Sequence, residues 1–346
     1  MTAKTHKKEQ HLMQKLLLGL VGLIGLTANA IAAPEENFIR KPAFHNFVDK
    51  MVAKHGFNSI ELINILSQAK VQPEIITAMN RPAESKPWYQ YRKIFITESR
   101  IQDGVAFWEA NKELLKRAEQ TYGIPPEIIL GILGVETRFG QRTGNYKILD
   151  SLVTLAFEYP KRAGFFRREL EQYLLLTREE KIDPWSLTGS YAGAIGKPQF
   201  ISSSYRHYAV DFDGDGKRDL LHNTADAIGS IANYFNAHQW RAGKPIATPA
   251  LVKGDKYKNI LKRGLKPQTS LRRLSQYGIT PKDKVSDAQL GALIEFDTES
   301  GPEYWIGLPN FYVITRYNQS PLYAMAVYQL GQEIRKQYDL QLAGTK

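Results

Sequence analysis

Hydrophobic positions recur at helical spacing along most of the chain. Phe44, Phe47, Val48 and Met51 lie three and four apart after Pro42, and Gly56 follows as a stop signal. Asn58 is placed to cap a second short helix running through Leu66. The stretch 88–97 (WYQYRKIFIT) alternates and is predicted to be extended. Residues 101–122 predict one long amphipathic helix with Val105, Trp108, Leu114, Leu115 and Ala118 inward. Residues 125–208 predict helices joined by tight glycine-rich turns, and a further helix is expected over about 224–237. From 243 to 300 the pattern changes. Pro245, Pro249, Pro267 and Pro281 punctuate β-leaning pieces such as 292–296, so this part predicts a small α+β or β insert. A last helix should start after Ser320 as cap, with Pro321 in its first turn. The chain shows no internal repeat and no low-complexity tract.

Composition narrows the chemistry. With 346 residues, 43% of them hydrophobic and 23% charged, the chain is globular and large enough for more than one small core. It has no cysteine. That excludes disulfides, thiol catalysis, cysteine-ligated metals and a lipid anchor on an N-terminal cysteine. The seven histidines form no HExxH pair, which disfavours a metalloprotease.

The formal net charge of +11 favours a polyanionic partner. Residues 1–32 narrow that choice. A lysine-rich start precedes an uncharged, mostly apolar run over 16–28 and then small-x-small steps at Ala28-Asn29-Ala30 and Ala30-Ile31-Ala32, the order of a cleavable export signal. The run is shorter than the ~20 residues a membrane span needs, so no stable span is expected after signal removal. An exported chain has little access to nucleic acid. Anionic cell-wall polymers and membrane surfaces are the partners left.

The most informative stretch is PPEIILGILGVETRFG, residues 125–140. Ile129, Ile132, Leu133 and Glu136 occupy i, i+3, i+4 and i+7, so a carboxylate takes a slot where the pattern calls for an apolar side chain. Desolvation there would raise its pKa, as a general acid requires. The competing possibility is a structural Glu136 paired with Arg138 or Arg142. Gly131 and Gly134 each cost about 1 kcal/mol inside a helix, which predicts close approach of another backbone. A second cluster, Asp211-Phe212-Asp213-Gly214-Asp215-Gly216-Lys217, matches the first half of an EF-hand loop. Oxygen ligands stand at positions 1, 3 and 5, and Lys217 would offer its carbonyl. Position 12 is His222, so the usual closing glutamate is missing. A solvated acidic turn without metal is the alternative.

GVETRFG (134–140), ILDSL (148–152), FEYPKRA (157–163), GSYAGAIG (189–196), QFISSSY (199–205), the Asp loop, DAIGSIANYF (226–235) and LPNFYVITRYN (308–318) follow in order. Together they resemble the lytic murein transglycosylase B family from about residue 38 onward. The resemblance implies a mainly α (α+β) protein: a lysozyme-like helical core, a helical domain wrapped around it and a small β-containing insert. Its expected boundaries are signal 1–32, helical domain 33–110, core 111–242, insert 243–305 and return 306–346.

The family cleaves the MurNAc–GlcNAc β-1,4 bond of peptidoglycan without water and leaves 1,6-anhydromuramic ends. The resemblance implies Glu136 as the single general acid and base, with no catalytic cofactor. It implies Arg162 near the catalytic carboxylate, Ser190 and Gln199 as hydrogen-bonding groups, and Phe200, Tyr234, Tyr312 and Tyr91 as groove-lining rings. It also favours a structural Ca²⁺ held by Asp211, Asp213, Asp215 and Lys217, with Asp226 closing the loop. A soluble periplasmic location follows from the export signal and the lack of cysteine. The alternatives are a hydrolytic muramidase, which needs a second carboxylate for which Asp150, Glu158 and Glu169 are candidates in sequence, and a non-catalytic peptidoglycan-binding protein. In the turn before Tyr205 the family usually has Gly-x-Gly-Gln-Phe-Met-Pro-Ser; here Pro198 and Ser202 depart from it, and Lys161 stands where a second arginine is common.

Overall fold

The computed structural model describes residues 37–80 and 86–344; the export signal expected over 1–32 lies outside them. After a 3-10 turn at Phe38–Arg40 come α1 (Pro42–His55), α2 (Ser59–Ser67) and α3 (Pro73–Met79). α1 buries Phe44, Phe47, Val48 and Met51, the stripe read from the sequence, and ends at Gly56 with φ 64°. The Asn58 side chain accepts from the amides of Ile60 and Glu61 and so caps α2.

Two expectations are corrected next. Residues 88–97 are not extended: α4 (Trp88–Phe95) is a helix that buries Trp88 and Tyr91, one turn apart. Burial of two large rings on one face outweighs the β-propensity of the aromatic and branched residues around them. The single long helix expected over 101–122 is two, α5 (Glu98–Ala110) and α6 (Lys112–Tyr122). Asn111 breaks it with φ −124°, while its side-chain amide donates back to the Phe107 carbonyl at 2.9 Å.

α7 (Pro126–Thr137) follows, then β1 (Tyr146–Lys147), α8 (Ile148–Glu158), α9 (Ala163–Glu179) and β2 (Thr188–Gly189), which pairs with β1. α10 (Ser202–Tyr208) and α11 (Thr224–Ala237) complete this helical part. The segment read as an insert holds β3 (Ala247–Val252), α12 (Lys258–Leu261), β4 (Thr269–Ser270), α13 (Leu271–Ser275), β5 (Ile279–Pro281), β6 (Leu290–Thr298) and β7 (Gly301–Gly307). These strands form an antiparallel sheet in the order β4-β6-β7-β3-β5, with Ile294 opposite Trp305 and Phe296 opposite Glu303. Strand alternation sends Leu293 into a small core with Leu271, Leu274 and Ile306, and sends Ile294 and Phe296 into the main helical core. Phe296 meets Trp88 of α4 at 5.2 Å between ring centres. α14 (Pro309–Tyr317) and α15 (Pro321–Gly344) return the chain to the helical part, and the Ser320 hydroxyl accepts from the Tyr323 amide at the start of α15. Among the described residues no helix is long and apolar enough to cross a membrane.

α7 is buried almost throughout and crosses α15 closely. A Cβ on Gly131 would overlap the Val327 carbonyl, one on Gly331 would overlap the Glu127 carbonyl, and one on Gly134 would stand 2.7 Å from Leu330 Cδ2. These contacts account for the glycines that looked expensive in sequence: at Gly131 and Gly331 a backbone lies where the side chain would be.

α1 is tied to α9 through Glu171, whose side chain is 3% exposed. Lys50 Nζ donates to it at 2.5 Å and Lys54 Nζ at 3.1 Å, and His55 Nε2 lies at 2.7 Å. Burial alone would raise its pKa, but these three partners overcome that and hold it at about 2, against an ordinary 4.5. A depressed carboxylate stabilises the fold fully above its unfolded pKa, and the contribution fades as pH falls toward the folded value. Because both lysines are largely exposed, screening reduces it to on the order of 1–2 kcal/mol. Between pH 4.5 and 2, a Glu171→Gln variant should therefore lose less stability than the parent in denaturant titrations. Parallel losses would contradict this.

Candidate active site

The α7–α15 crossing brings Glu136, near the end of α7, against Tyr323 in the first turn of α15. Tyr323 Oη donates to Glu136 Oε1 at 2.5 Å. Glu136 is half-buried, whereas Tyr323 is 3% exposed. Burial first, and then the negative charge of Glu136, push the Tyr323 phenol well above its ordinary pKa, so it stays protonated and donates. Tyr317 lies parallel to Tyr323 at 6.4 Å, is raised by the same two causes, and donates to the Pro198 carbonyl at 2.5 Å. Arg138 Nε donates to Asp103 at 2.5 Å.

The backbone leaves α7 sharply. Arg138, Phe139 and Gly140 have φ of 50°, 59° and 88°, three consecutive residues in a region that favours glycine. The left-handed exit thus begins two residues before Gly140. Thr137 clamps this exit: its hydroxyl donates to the Lys197 carbonyl at 2.8 Å and accepts from the Gly140 amide at 2.9 Å. The turn 189–200 is thereby fixed beside Glu136. Within it the Ser190 hydroxyl accepts from the amides of Ala192 and Ala194. Gln199 has φ 53°, and its amide nitrogen donates to the carbonyls of Thr143 and Gly196 at 3.0 and 2.9 Å. Pro198 and Ser202, the departures from the family turn, are both buried.

The rings expected to line a groove divide into two kinds. Tyr91 and Phe200 are each 2% exposed and Tyr234 is 6% exposed. All three rings are packed among other side chains, Tyr91 against Trp88 and Phe95. Phe200, Tyr234 and Tyr317 meet at 4.9 to 5.8 Å, and Tyr234 Oη donates to the Arg316 carbonyl at 2.7 Å. Tyr312 is half-buried and retains an accessible face. Arg162 is exposed at the start of α9, with its guanidinium 4.3 Å from the Phe165 ring centre. Tyr323 and Tyr317 were not singled out from sequence as site residues. The available signal was complementary: a phenol on the buried stripe of α15 needs an acceptor, and a carboxylate on the buried stripe of α7 needs a donor.

The three carboxylates near Glu136 in sequence have other partners. Asp150 accepts from the Lys70 amide and from Gln72, Glu158 pairs with Lys41 at 2.6 Å, and Glu169 accepts from the amide and hydroxyl of Ser203.

In the acidic loop, carboxylate oxygens of Asp211, Asp213 and Asp226 lie within 4.8 Å of one another. Asp226 is fully buried at the start of α11 and accepts from the amides of Phe212 and Asp219 at 2.7 and 2.8 Å. Burial raises its pKa, the two amides pull it back, and the charges of Asp213 and Asp211 raise it again. Three hard carboxylate oxygens, one of them from a buried side chain, suit a calcium-like cation. Asp215 is not in this group: its carboxylate accepts from the Lys217 amide at 2.8 Å.

Residues 40–332 match the family model described as the transglycosylase SLT domain, so the chain belongs to that family and is by class a lytic transglycosylase. Within the class it is similar to the membrane-bound lytic murein transglycosylase B of Escherichia coli (strain K12), with 47% identity over 308 residues covering 86% of this chain and 84% of that protein. Its fold is similar to that of the soluble lytic transglycosylase SltB1 from Pseudomonas aeruginosa, with a TM-score of 0.79, 49% identity, and coverage of 84% of this chain and 97% of that one. It is likewise similar to the Escherichia coli lytic transglycosylase Slt35, solved in complex with calcium, with a TM-score of 0.80, 47% identity, and coverage of 87% and 95%.

Proposed function

We propose that this chain cleaves the MurNAc–GlcNAc β-1,4 bond of peptidoglycan without water. Glu136 protonates the departing glycosidic oxygen and then accepts the proton of the muramic C6 hydroxyl as that oxygen bonds to C1. The products are a free GlcNAc hydroxyl and a 1,6-anhydromuramic end. The observation that carries the reading is Glu136 on the apolar face of α7, oriented by a phenol that burial keeps protonated. A hydrolytic glycosidase uses two carboxylates. Here the nucleophile is already part of the substrate, and proximity replaces the second group. The engagement of Asp150, Glu158 and Glu169 elsewhere supports the same reading. The N-acetyl oxygen of the sugar shares the charge developing at C1.

The turn beside Glu136 supplies directional contacts. With its oxygen already accepting from two amides, the Ser190 hydroxyl donates its proton to the sugar; with its nitrogen already donating twice, the Gln199 amide accepts through its oxygen. Tyr312 offers a ring face and Arg162 a charge toward the strand. Digestion of purified murein and mass spectrometry of the fragments tests the reaction. Anhydromuramic ends are expected, and reducing ends throughout would make the protein a hydrolase.

Asp211, Asp213 and Asp226 hold a structural Ca²⁺, which supplies positive charge that ties the acidic loop to α11. The support is the oxygen cluster together with the calcium complex of Slt35. At a hundredfold excess over Kd, a single site adds about 2.7 kcal/mol. Calcium should therefore raise Tm by several degrees over a chelator control, and Asp213→Asn should remove the shift. Equal Tm with and without calcium would sink the assignment. The protein works in the periplasm, exported by the signal of residues 1–32; this rests on the charge-apolar-small order of those residues.

A further inference from the structure

A cavity of about 820 Å³ opens between α4, the β6–β7 hairpin and α15, inside the roughly 300–1,000 Å³ range of ligand sites. It is separate from the site at Glu136. α15 turns Tyr323, Val327, Leu330 and Ile334 toward Glu136 and the glycines of α5 and α7. The cavity takes Tyr328, Gln329, Gln332 and Glu333 from the other side of the same helix.

The lining combines flat rings with fixed polar groups. Trp88 and Tyr89 come from α4, Trp305 from β7 and Tyr328 from α15. Trp88 is buried, whereas Tyr89, Trp305 and Tyr328 are half-buried. Trp305 and Tyr328 stand at 82° to each other with ring centres 6.4 Å apart, so two apolar surfaces meet at a corner. Arg92 Nε donates to Gln329 Oε1 at 2.8 Å, which orients that amide and leaves its nitrogen to donate. Burial first, and then the charges of Asp283 and Glu127, raise the Tyr328 pKa, so its hydroxyl keeps a proton to donate.

The charges of the lining answer one another. Lys93 pairs with Glu299 at 2.6 Å, and Glu303 accepts from the Trp305 indole. With Arg92 and Glu333 added, two cations stand against three carboxylates, which gives no receptor for an anion. A wholly apolar ligand would strand the amides and carboxylates without partners. What fits is a neutral ligand with an apolar face and hydroxyl and amide edges. A pyranose ring bearing an N-acetyl group has that form.

We infer that this cavity is a second glycan-binding site, which takes an N-acetylglucosamine unit from a stretch of strand distant from the bond being cut; the identity of the strand rests on the proposed peptidoglycan reaction. Holding the strand at two points raises its effective concentration at Glu136 without touching the chemistry. The site therefore acts on long or insoluble glycan and not on short fragments, which cannot occupy both places.

The test uses the full chain carrying Glu136→Gln, with and without Trp305→Ala, and reads sedimentation with purified murein sacculi. High salt screens the general attraction of a basic chain to the wall and leaves neutral sugar contacts in place. Trp305→Ala is expected to weaken retention about tenfold. With Glu136 intact, the same substitution should leave kcat/KM for a soluble murein tetrasaccharide within twofold of the parent. Unchanged retention, or equal losses on sacculi and tetrasaccharide, overturns the proposal. Gln332→Ala with Glu333→Ala repeats the comparison from the outer side of α15 should Trp305→Ala lower Tm, and parent-like retention in that variant also overturns it. Reducing ends among the parent's products would overturn the reaction assignment instead, and the retention comparison would still read the cavity.

Discussion

Glu136→Gln should lower kcat by about 10²–10⁴-fold, the span that general acid–base catalysis supplies, and should leave the fold in place. The amide keeps an oxygen to accept from Tyr323 but has no proton of the right acidity to give and cannot take one. Because the proposed mechanism uses the same group in both halves of the reaction, no second carboxylate should rescue it. Tyr323→Phe should fall between this variant and the parent, since it removes the donor that orients Glu136 while keeping the ring. Steady-state release of soluble fragments from murein measures both. A Glu136→Gln protein within a fewfold of the parent rate would remove the residue from the chemistry.

Gly131→Val has the largest expected effect on stability. Its side chain would enter space already filled by the Val327 carbonyl of α15, so the crossing must open. Overpacking of this kind costs about 3 kcal/mol, and the better helix propensity of valine over glycine offsets that by no more than about half a kcal/mol. The same displacement separates Glu136 from Tyr323, so activity should fall together with the denaturation midpoint. An exposed control such as Gly243→Ala, in a turn with open space around it, should cost less and leave kcat unchanged. Gly131→Val with the parent midpoint would show that the crossing tolerates separation.

Much of this was legible in local pattern. The i, i+3, i+4, i+7 stripe placed Glu136 on the helix now seen as Pro126–Thr137, and its interior glycines announced a close crossing before any partner was visible. The helix Thr224–Ala237 and the cap at Asn58 follow from signals within a few residues. What failed was decided by distant partners. Residues 88–95 became a helix because Trp88 meets Phe296, more than two hundred positions away. The burial of Tyr91, Phe200 and Tyr234 likewise comes from packing between elements and has no local signal. Tyr323 reaches Glu136 across 187 residues. Spacing could show that each helix carried a polar group on its buried side, but not that the two groups met.

The most direct measurement is digestion of murein in water enriched in ¹⁸O, followed by mass spectrometry of the fragments. Intramolecular closure by the C6 hydroxyl predicts anhydromuramic ends carrying no ¹⁸O from the parent enzyme. Muramic ends that carry one ¹⁸O atom at C1 would show that water is the nucleophile, and a single-carboxylate lytic mechanism at Glu136 would be wrong.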